Sequence, residues 1–366
     1  MGTERDICRV AFRVDASTQI GTGHFMRCLT LADALCQRGA TVHFIVRCLP
    51  DYLELMLADR SMTCSRIGST EDPPASGSLA HSAWLGTSQE VDAMQTYQML
   101  EGAFWDCLII DHYALDSTWE RSLRMLVRKI VVIDDLADRM HDCDILLDQN
   151  FYTNMHERYA GKVRANCVQL LGPKYALLRH EFEVIRHSIK PRTGIVKNIL
   201  VFMGGIDVNC FTSRIVHALS EMNLNGIRVN VVVGLRYPKL SEILNQCASL
   251  GFFCHVQTKE MAKLMCEADL AIGAIGSATW ERCAMGVPTV AMTIADNQIK
   301  AAEDLDKKGI VINLGDAASL SLNSLKRILQ NIIQDEARRV QMSHLSLNMV
   351  NHRDIDLFEI LVGDHV

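Results

Sequence analysis

The stretch that decides the fold reads Cys8-Arg9-Val10-Ala11-Phe12-Arg13-Val14, then Asp15-Ala16-Ser17, then Gly21-Thr22-Gly23-His24. Residues 8–14 form an apolar run of strand length. After the glycines, Phe25, Cys28, Leu29, Ala32 and Cys36 recur at the spacing of one helix face, and Gly39 supplies the stop. A strand, a glycine-containing turn and an amphipathic helix make the opening unit of a parallel α/β sheet.

The same alternation continues in both directions from that unit. Further strands are predicted at residues 41–46, 107–110, 129–133 and 145–147, then at 198–203, 228–233, 252–256, 270–272, 288–292 and 310–312. Continuous apolar strands between helices belong to parallel sheets covered on both faces. Residues 161–192 contain no clear strand and carry Gly172-Pro173 and Lys190-Pro191-Arg192, which predicts a domain boundary near Lys190. The expected architecture is α/β: two doubly wound Rossmann-like domains, residues 1–189 and 190–345, with a cleft between them. A C-terminal segment, 346–366, is expected to place a helix around 355–362 back on the first domain. Residues 71–87, with Pro73-Pro74 and several Ser and Gly, read either as a loop over the cleft or as a surface insertion.

Composition narrows the function classes. The chain has 366 residues, is 49% hydrophobic and carries a net charge of -6, with no long basic run, so nucleic acid is not an expected partner. No apolar run reaches transmembrane length, and the polar residues 1–5 run directly into the first strand. A cytoplasmic, monomeric enzyme acting on a small molecule is the expectation. The 13 cysteines include no CxxC pair, and Cys28, Cys107 and Cys283 lie in apolar periodic stretches as small hydrophobes.

In doubly wound folds ligands sit outside the carboxyl ends of strands, so the turns there come first. Gly21 and Gly23 permit close approach of a ligand to the backbone. The dinucleotide pattern G-x-G-x-x-G fails at Met26, and no Walker A sequence is present. His24 is the titratable base of this turn. A helix N-terminus disfavours imidazolium, which keeps the ring able to accept a proton. The alternative is a capping or packing histidine. Asp15 either supports the site or caps the turn, and Arg27 either points into the cleft or pairs with an acidic residue.

The second half carries the nucleotide signal. Gly204-Gly205-Ile206-Asp207 follows a strand and precedes a helix with Phe211, Ile215 and Leu219 on one face. Such glycines let backbone approach a diphosphate, or simply make a tight turn capped by Asp207. Residues 271–281 give a strand, the turn Gly276-Ser277 and a helix that stops at Gly286-Val287-Pro288. Its first-turn N–H groups suit phosphate, Ser277 and Thr279 add hydroxyls, and Glu281 can accept from a ribose or merely complement the helix dipole. Asp296-Asn297-Gln298 follows the next strand.

Together these residues resemble the GT-B superfamily of nucleotide-sugar enzymes. Gly21 to His24 resembles the glycine-rich turn of the lipid-linked N-acetylglucosaminyltransferase of peptidoglycan synthesis, and residues 276–288 with Asp296-Asn297-Gln298 its UDP-binding region. A closer resemblance is to the UDP-sugar hydrolases of pseudaminic acid biosynthesis, a route to flagellin glycosylation. It rests on Arg13-Val14-Asp15-Ala16-Ser17, residues 21–27, Trp84 to Gln89, Asp111-His112-Tyr113, and residues 133–139, 143–150 and 171–179, and spans residues 10–309. The resemblance implies hydrolysis of an anomeric C–O bond without metal or cofactor, releasing UDP. It implies that His24 is catalytic and that Tyr113 and Asn297 touch the sugar or the attacking water. It further implies that Gly276, Ser277, Thr279, Glu281 and Gln298 bind UDP, with Gly204 and Gly205 near the phosphates. His180 stands where that family has proline. A glycosyltransferase, a non-catalytic sugar-nucleotide-binding protein and a nucleotide-sugar 2-epimerase are the alternatives on the same scaffold.

Overall fold

The computed structural model describes residues 8–69, 71–75, 77–351 and 356–363, the Phe358 side chain excepted. The polar start at residues 1–5 and Ile355 lie outside the described residues. The chain divides into two compact units. The first holds the described residues up to Asn150, then Asn154 to Leu177 and the C-terminal segment; the second holds Phe151–Thr153 and Leu178–Asn351.

In the first unit the elements are β1 (Arg9–Val14), α1 (Gly23–Gln37), β2 (Thr41–Val46), α2 (Asp51–Ala58), β3 (Thr63–Arg66), α3 (Gln89–Leu100), β4 (Trp105–Asp111), α4 (Ser117–Leu123), β5 (Val127–Ile133), β6 (Ile145–Asp148) and β7 (Val168–Leu171). The sheet is parallel throughout, in the order β3-β2-β1-β4-β5-β6-β7. Strand alternation splits its core in two. Val10, Phe12 and Val14 face α1, with Phe12 stacked on Phe44 at 4.9 Å, while Ala11 turns to the face that buries Ile45, Ile110 and Trp119. The second unit comprises α5 (His180–Arg186), β8 (Asn198–Phe202), α6 (Phe211–Ser220), β9 (Arg228–Val233), α7 (Leu240–Leu250), β10 (Phe253–Val256), α8 (Met261–Glu267), β11 (Leu270–Ala274), α9 (Ser277–Ala284), β12 (Thr289–Thr293), α10 (Ile299–Lys307), β13 (Val311–Asp316), α11 (Leu322–Gln334) and α12 (Glu336–Met349). Its parallel sheet runs β10-β9-β8-β11-β12-β13. The order reverses between β8 and β11, the switch point at which such sheets hold ligands.

Three features differ from the sequence-based expectation. Residues 161–192 do contain a strand, β7. It and β3 are the edges of the first sheet; each has a single neighbour, and their mixed sequences (Thr63-Cys64-Ser65-Arg66 and Val168-Gln169-Leu170-Leu171) lack the continuous apolar run of an interior strand. The division between units falls at Leu177/Leu178 rather than near Lys190, because α5 packs on α8 and α9. The C-terminal residues are shared: α12 belongs to the second unit, whereas α13 (Leu357–Val362) belongs to the first. There Leu361 and Val362 enter the core, and Arg128 and Lys129 donate to the carbonyls of Val362 and Gly363.

Acidic side chains at the strand ends are buried. Asp148 accepts from the Asn150 amide at 2.9 Å and the Tyr159 hydroxyl at 3.1 Å. Burial, and then the nearby Asp135 carboxylate, push its pKa up to about 8. The folded chain therefore holds a proton that the unfolded chain releases near the ordinary carboxyl value of 3.8. Stability from this group is complete below that value and is lost as pH rises through about 8. Asp148→Asn is expected to flatten the decline in melting temperature between about pH 5 and about pH 8; an equal decline in both proteins would refute the assignment. In the second sheet, a Cβ on Gly234 would lie 2.0 Å from the Gly205 carbonyl oxygen. Gly234→Ala should cost about 1–3 kcal/mol in chemical denaturation, and an unshifted midpoint would contradict this.

Candidate active site

β1 and β4 are neighbours, with Val14 paired to Asp111. This register sets the end of β4 beside the first turn of α1, where His24 and Arg27 lie three residues apart on one helix face. Asp111 is fully buried and accepts from both. Its Oδ1 lies 2.6 Å from His24 Nδ1; Arg27 grips it as a fork, Nε to Oδ2 at 2.5 Å and Nη2 to Oδ1 at 2.6 Å. Burial alone would raise the Asp111 carboxyl, but the Arg27 charge and then His24 outweigh it and hold it well below the ordinary carboxylate range. An ionised Asp111 needs a hydrogen on His24 Nδ1. The lone pair is then on Nε2, to which no described protein group bonds.

Arg27 also reaches across the sheet, donating Nη1 to Asp135 at 2.9 Å beyond the end of β5. Asp135 in turn accepts from the Tyr113 hydroxyl and from Asn150 Nδ2 at 3.2 Å. The Tyr113 ring stands edge-on to His24, with centroids 4.5 Å apart. Trp84 stacks on Tyr113 at 5.4 Å, and His81 meets Trp84 at 4.4 Å and Tyr113 at 5.2 Å. Trp84 and His81 come from the 71–87 loop, at and just before a 3-10 turn over Ser82–Leu85. The loop thus supplies two rings beside the histidine. Its entry is held by Arg47, which donates to Asp72 at 2.5 Å, to Gln95 and to Asp92. Asp92, fully buried, also accepts from Nε and Nη2 of Arg13 and from the Trp119 indole N–H.

Of the residues expected in this region, His24, Arg27 and Tyr113 come together. Gly21, with φ +80°, and Gly23 both face open space where a side chain would project. Asp15 takes a different place. It is fully buried, accepts from the amides of Arg47 and Cys48, is ion-paired with Arg13 at 2.9 Å and lies 3.3 Å from His112 Nε2, so it anchors the turn. Asp111, Asp135, Trp84 and His81 are additions. Asp111 ends an apolar strand and Asp135 closely follows one, a readable signal, but their partners come from distant elements.

In the second unit the two glycine turns follow β8 and β11, the strands flanking the switch point. Gly204 has φ +108° with open space beside it, and Asp207 caps α6 through Phe211 and Thr212. Gly276, at φ +156°, opens α9, and Ser277 is exposed. Thr279 departs from expectation: it is buried, and its hydroxyl accepts from the Gly276 amide at 3.1 Å, closing the turn from inside instead of offering a hydroxyl outward. Glu281 is bonded through Oε1 to Arg179 Nε at 2.7 Å. Gln298 accepts from the Ile294 amide, with its Nε2 beside Gly276, and Asn297 is exposed. Among the described residues no cluster of metal-ligating side chains occurs, and no helix is long and apolar enough to cross a membrane.

No family model matches the chain. It is 27% identical over 304 residues to the UDP-2,4-diacetamido-2,4,6-trideoxy-beta-L-altropyranose hydrolase of Campylobacter jejuni, covering 82% of this chain and 97% of that protein. Among solved structures it is similar to the glycotransferase of kitacinnamycin, with a TM-score of 0.63 at 16% identity over 98% of this chain and 100% of that one. Acinetobacter baumannii MurG gives a TM-score of 0.60 at 15% identity, over 94% and 96%. The chain therefore has the GT-B fold of two Rossmann-like domains, and along most of its length its sequence is similar to that of a UDP-sugar hydrolase.

Proposed function

We propose that this protein hydrolyses the anomeric C–O bond of a UDP-linked sugar, UDP-2,4-diacetamido-2,4,6-trideoxy-β-L-altropyranose, releasing UDP and the free hexose for pseudaminic acid biosynthesis. The Campylobacter relative supports the substrate. The observation that carries the chemistry is the His24–Asp111 contact, which leaves Nε2 as an acceptor. In this reading Nε2 takes a proton from water as the water oxygen bonds to C1, and the C1–O bond breaks with its electron pair passing to the diphosphate. Asp111 stabilises the imidazolium, which returns its proton to solvent. Because UDP leaves readily, the paired carboxylates of ordinary glycosidases are not needed. Gly204, Gly205, Gly276 and Ser277 are assigned to the diphosphate, Glu281 Oε2 to the ribose, Gln298 to the nucleotide, and Tyr113 and Asn297 to the sugar or the water. No cofactor or metal enters the scheme, and a soluble monomer in the cytoplasm is its expected setting.

A second reading is a glycosyltransferase, favoured by the two solved structures named above. Incubation with the UDP-sugar alone separates the two: steady UDP release without an acceptor belongs to the hydrolase. In oxygen-18 water the label should enter the sugar, and label in UDP would sink C–O cleavage. His24→Asn should lower kcat by roughly 10²–10⁴-fold while UDP binding holds. Asp111→Asn is expected to cost a similar factor by freeing the wrong tautomer. Turnover surviving in both variants would make the pair structural.

A further inference from the structure

Arg282 lies on α9, one turn into the helix, and points inward. It is 2% exposed. Its Nη2 donates to the Ala274 carbonyl at 2.7 Å and to the Thr279 hydroxyl at 3.1 Å, the same hydroxyl that holds the Gly276 amide. Its Nη1 sits so close to Gly273 that a Cβ there would be 2.8 Å away, and that Cβ would also be 2.6 Å from the Phe202 carbonyl. The guanidinium is thus wedged under the carboxyl ends of β8 and β11, behind both glycine turns. Nε and Nη1 have no hydrogen-bond partner, and no carboxylate among the described residues forms an ion pair with it.

Such a position is costly. Buried charges are normally paired, and leaving one unpaired is strongly destabilising. Burial pulls this group down only to about 10, so it remains a cation at neutral pH. Other deeply buried arginines are answered at their nitrogens: Arg13 by Asp15 and Asp92, Arg27 by Asp111 and Asp135, Arg139 by Asp134, and Arg339 by the carbonyls of Ile332, Ile333 and Gly194, whereas Arg282 keeps two nitrogens without a partner. The first-turn amides of α9 present a positive partial charge on the outer side of the same turn. A fixed cation and a helix N-terminus therefore converge on the Gly276–Ser277 turn, and among the described residues no carboxylate bonds to the guanidinium, the Glu281 charge acting on it only from a distance while pairing with Arg179.

We infer that Arg282 is the resident countercharge for a diphosphate bound outside the Gly276–Ser277 turn, acting through the turn rather than by touching the ligand. It is a positioning residue: its Nη2 fixes Thr279 and Ala274, and its charge is neutralised when the anion arrives. The nucleotide identity rests on the UDP reading above, whereas the anion site does not.

Intact wild-type protein, Arg282→Met and Arg282→Gln are titrated calorimetrically with inorganic pyrophosphate, UDP and uridine. Wild type should bind pyrophosphate. Both variants should lose roughly 10- to 100-fold in affinity for pyrophosphate and UDP while uridine stays within about twofold. Equal losses for uridine and UDP would reduce Arg282 to a structural role, and unchanged pyrophosphate binding would overturn the inference outright. Should neither variant fold, wild type decides: failure to bind pyrophosphate at millimolar concentration overturns it. Wild type that binds pyrophosphate but not UDP refutes the nucleotide reading and leaves Arg282 standing. Wild type that binds UDP with both variants unaffected does the reverse.

Discussion

A single buried carboxylate, Asp111, organises the first unit. An ion placed wholly inside a protein is tolerable only if charge and hydrogen bonds answer it from several directions. The Arg27 fork does most of this, and His24 completes it. Because Arg27 and His24 share one helix face, satisfying the carboxylate also fixes the first turn of α1 against the end of β4. The remaining arm of Arg27 then binds Asp135, and Asp135 binds Tyr113. The ends of β4 and β5 and the start of α1 are joined through one guanidinium, and the orientation of the histidine ring follows from that junction. Planar, bidentate geometry is what Arg offers here and Lys does not.

The second unit solves a different problem with different means. Its turns at Gly204 and Gly276 depend on backbone shapes open to glycine, and side chains close them from within: Asp207 caps one, and Thr279 holds the other. The exposed residues of these turns carry little of the fold. The first unit fixes a histidine ring against a buried carboxylate; the second shapes glycine turns at the ends of its strands.

Much of the architecture was legible because interior parallel strands cannot hide: their residues are apolar on both faces. Edge strands can hide, and β3 and β7 did. Within the site, His24 was legible because a histidine just after Gly-x-Gly at a strand end is an uncommon local event. Asp111 was legible only as an acid ending an apolar run; that it meets His24 depends on β4 lying beside β1, a fact of sheet order that no local window contains. Cys28 illustrates the same limit. Its helical phase marks it correctly as buried, yet its thiol lies 3.5 Å from Asp111. Thr279 shows the opposite limit: residue type and position suggest a ligand, and the Gly276 amide takes its hydroxyl first, while for Asp15, open to either reading from the sequence, the contacts match a turn cap.

The anchoring of the 71–87 loop has a consequence for how this protein tolerates variation. Arg47 clasps Asp72 at the loop's entry and Gln95 and Asp92 on the helix beyond it, while Ser88 caps that helix. Both ends of the excursion are thereby pinned to the same buried carboxylate that holds Arg13 of β1. The rings of His81 and Trp84 are thus carried on a loop whose two ends share one anchor, so loss of the Asp92 carboxylate would loosen β1 and the aromatic surroundings of His24 together.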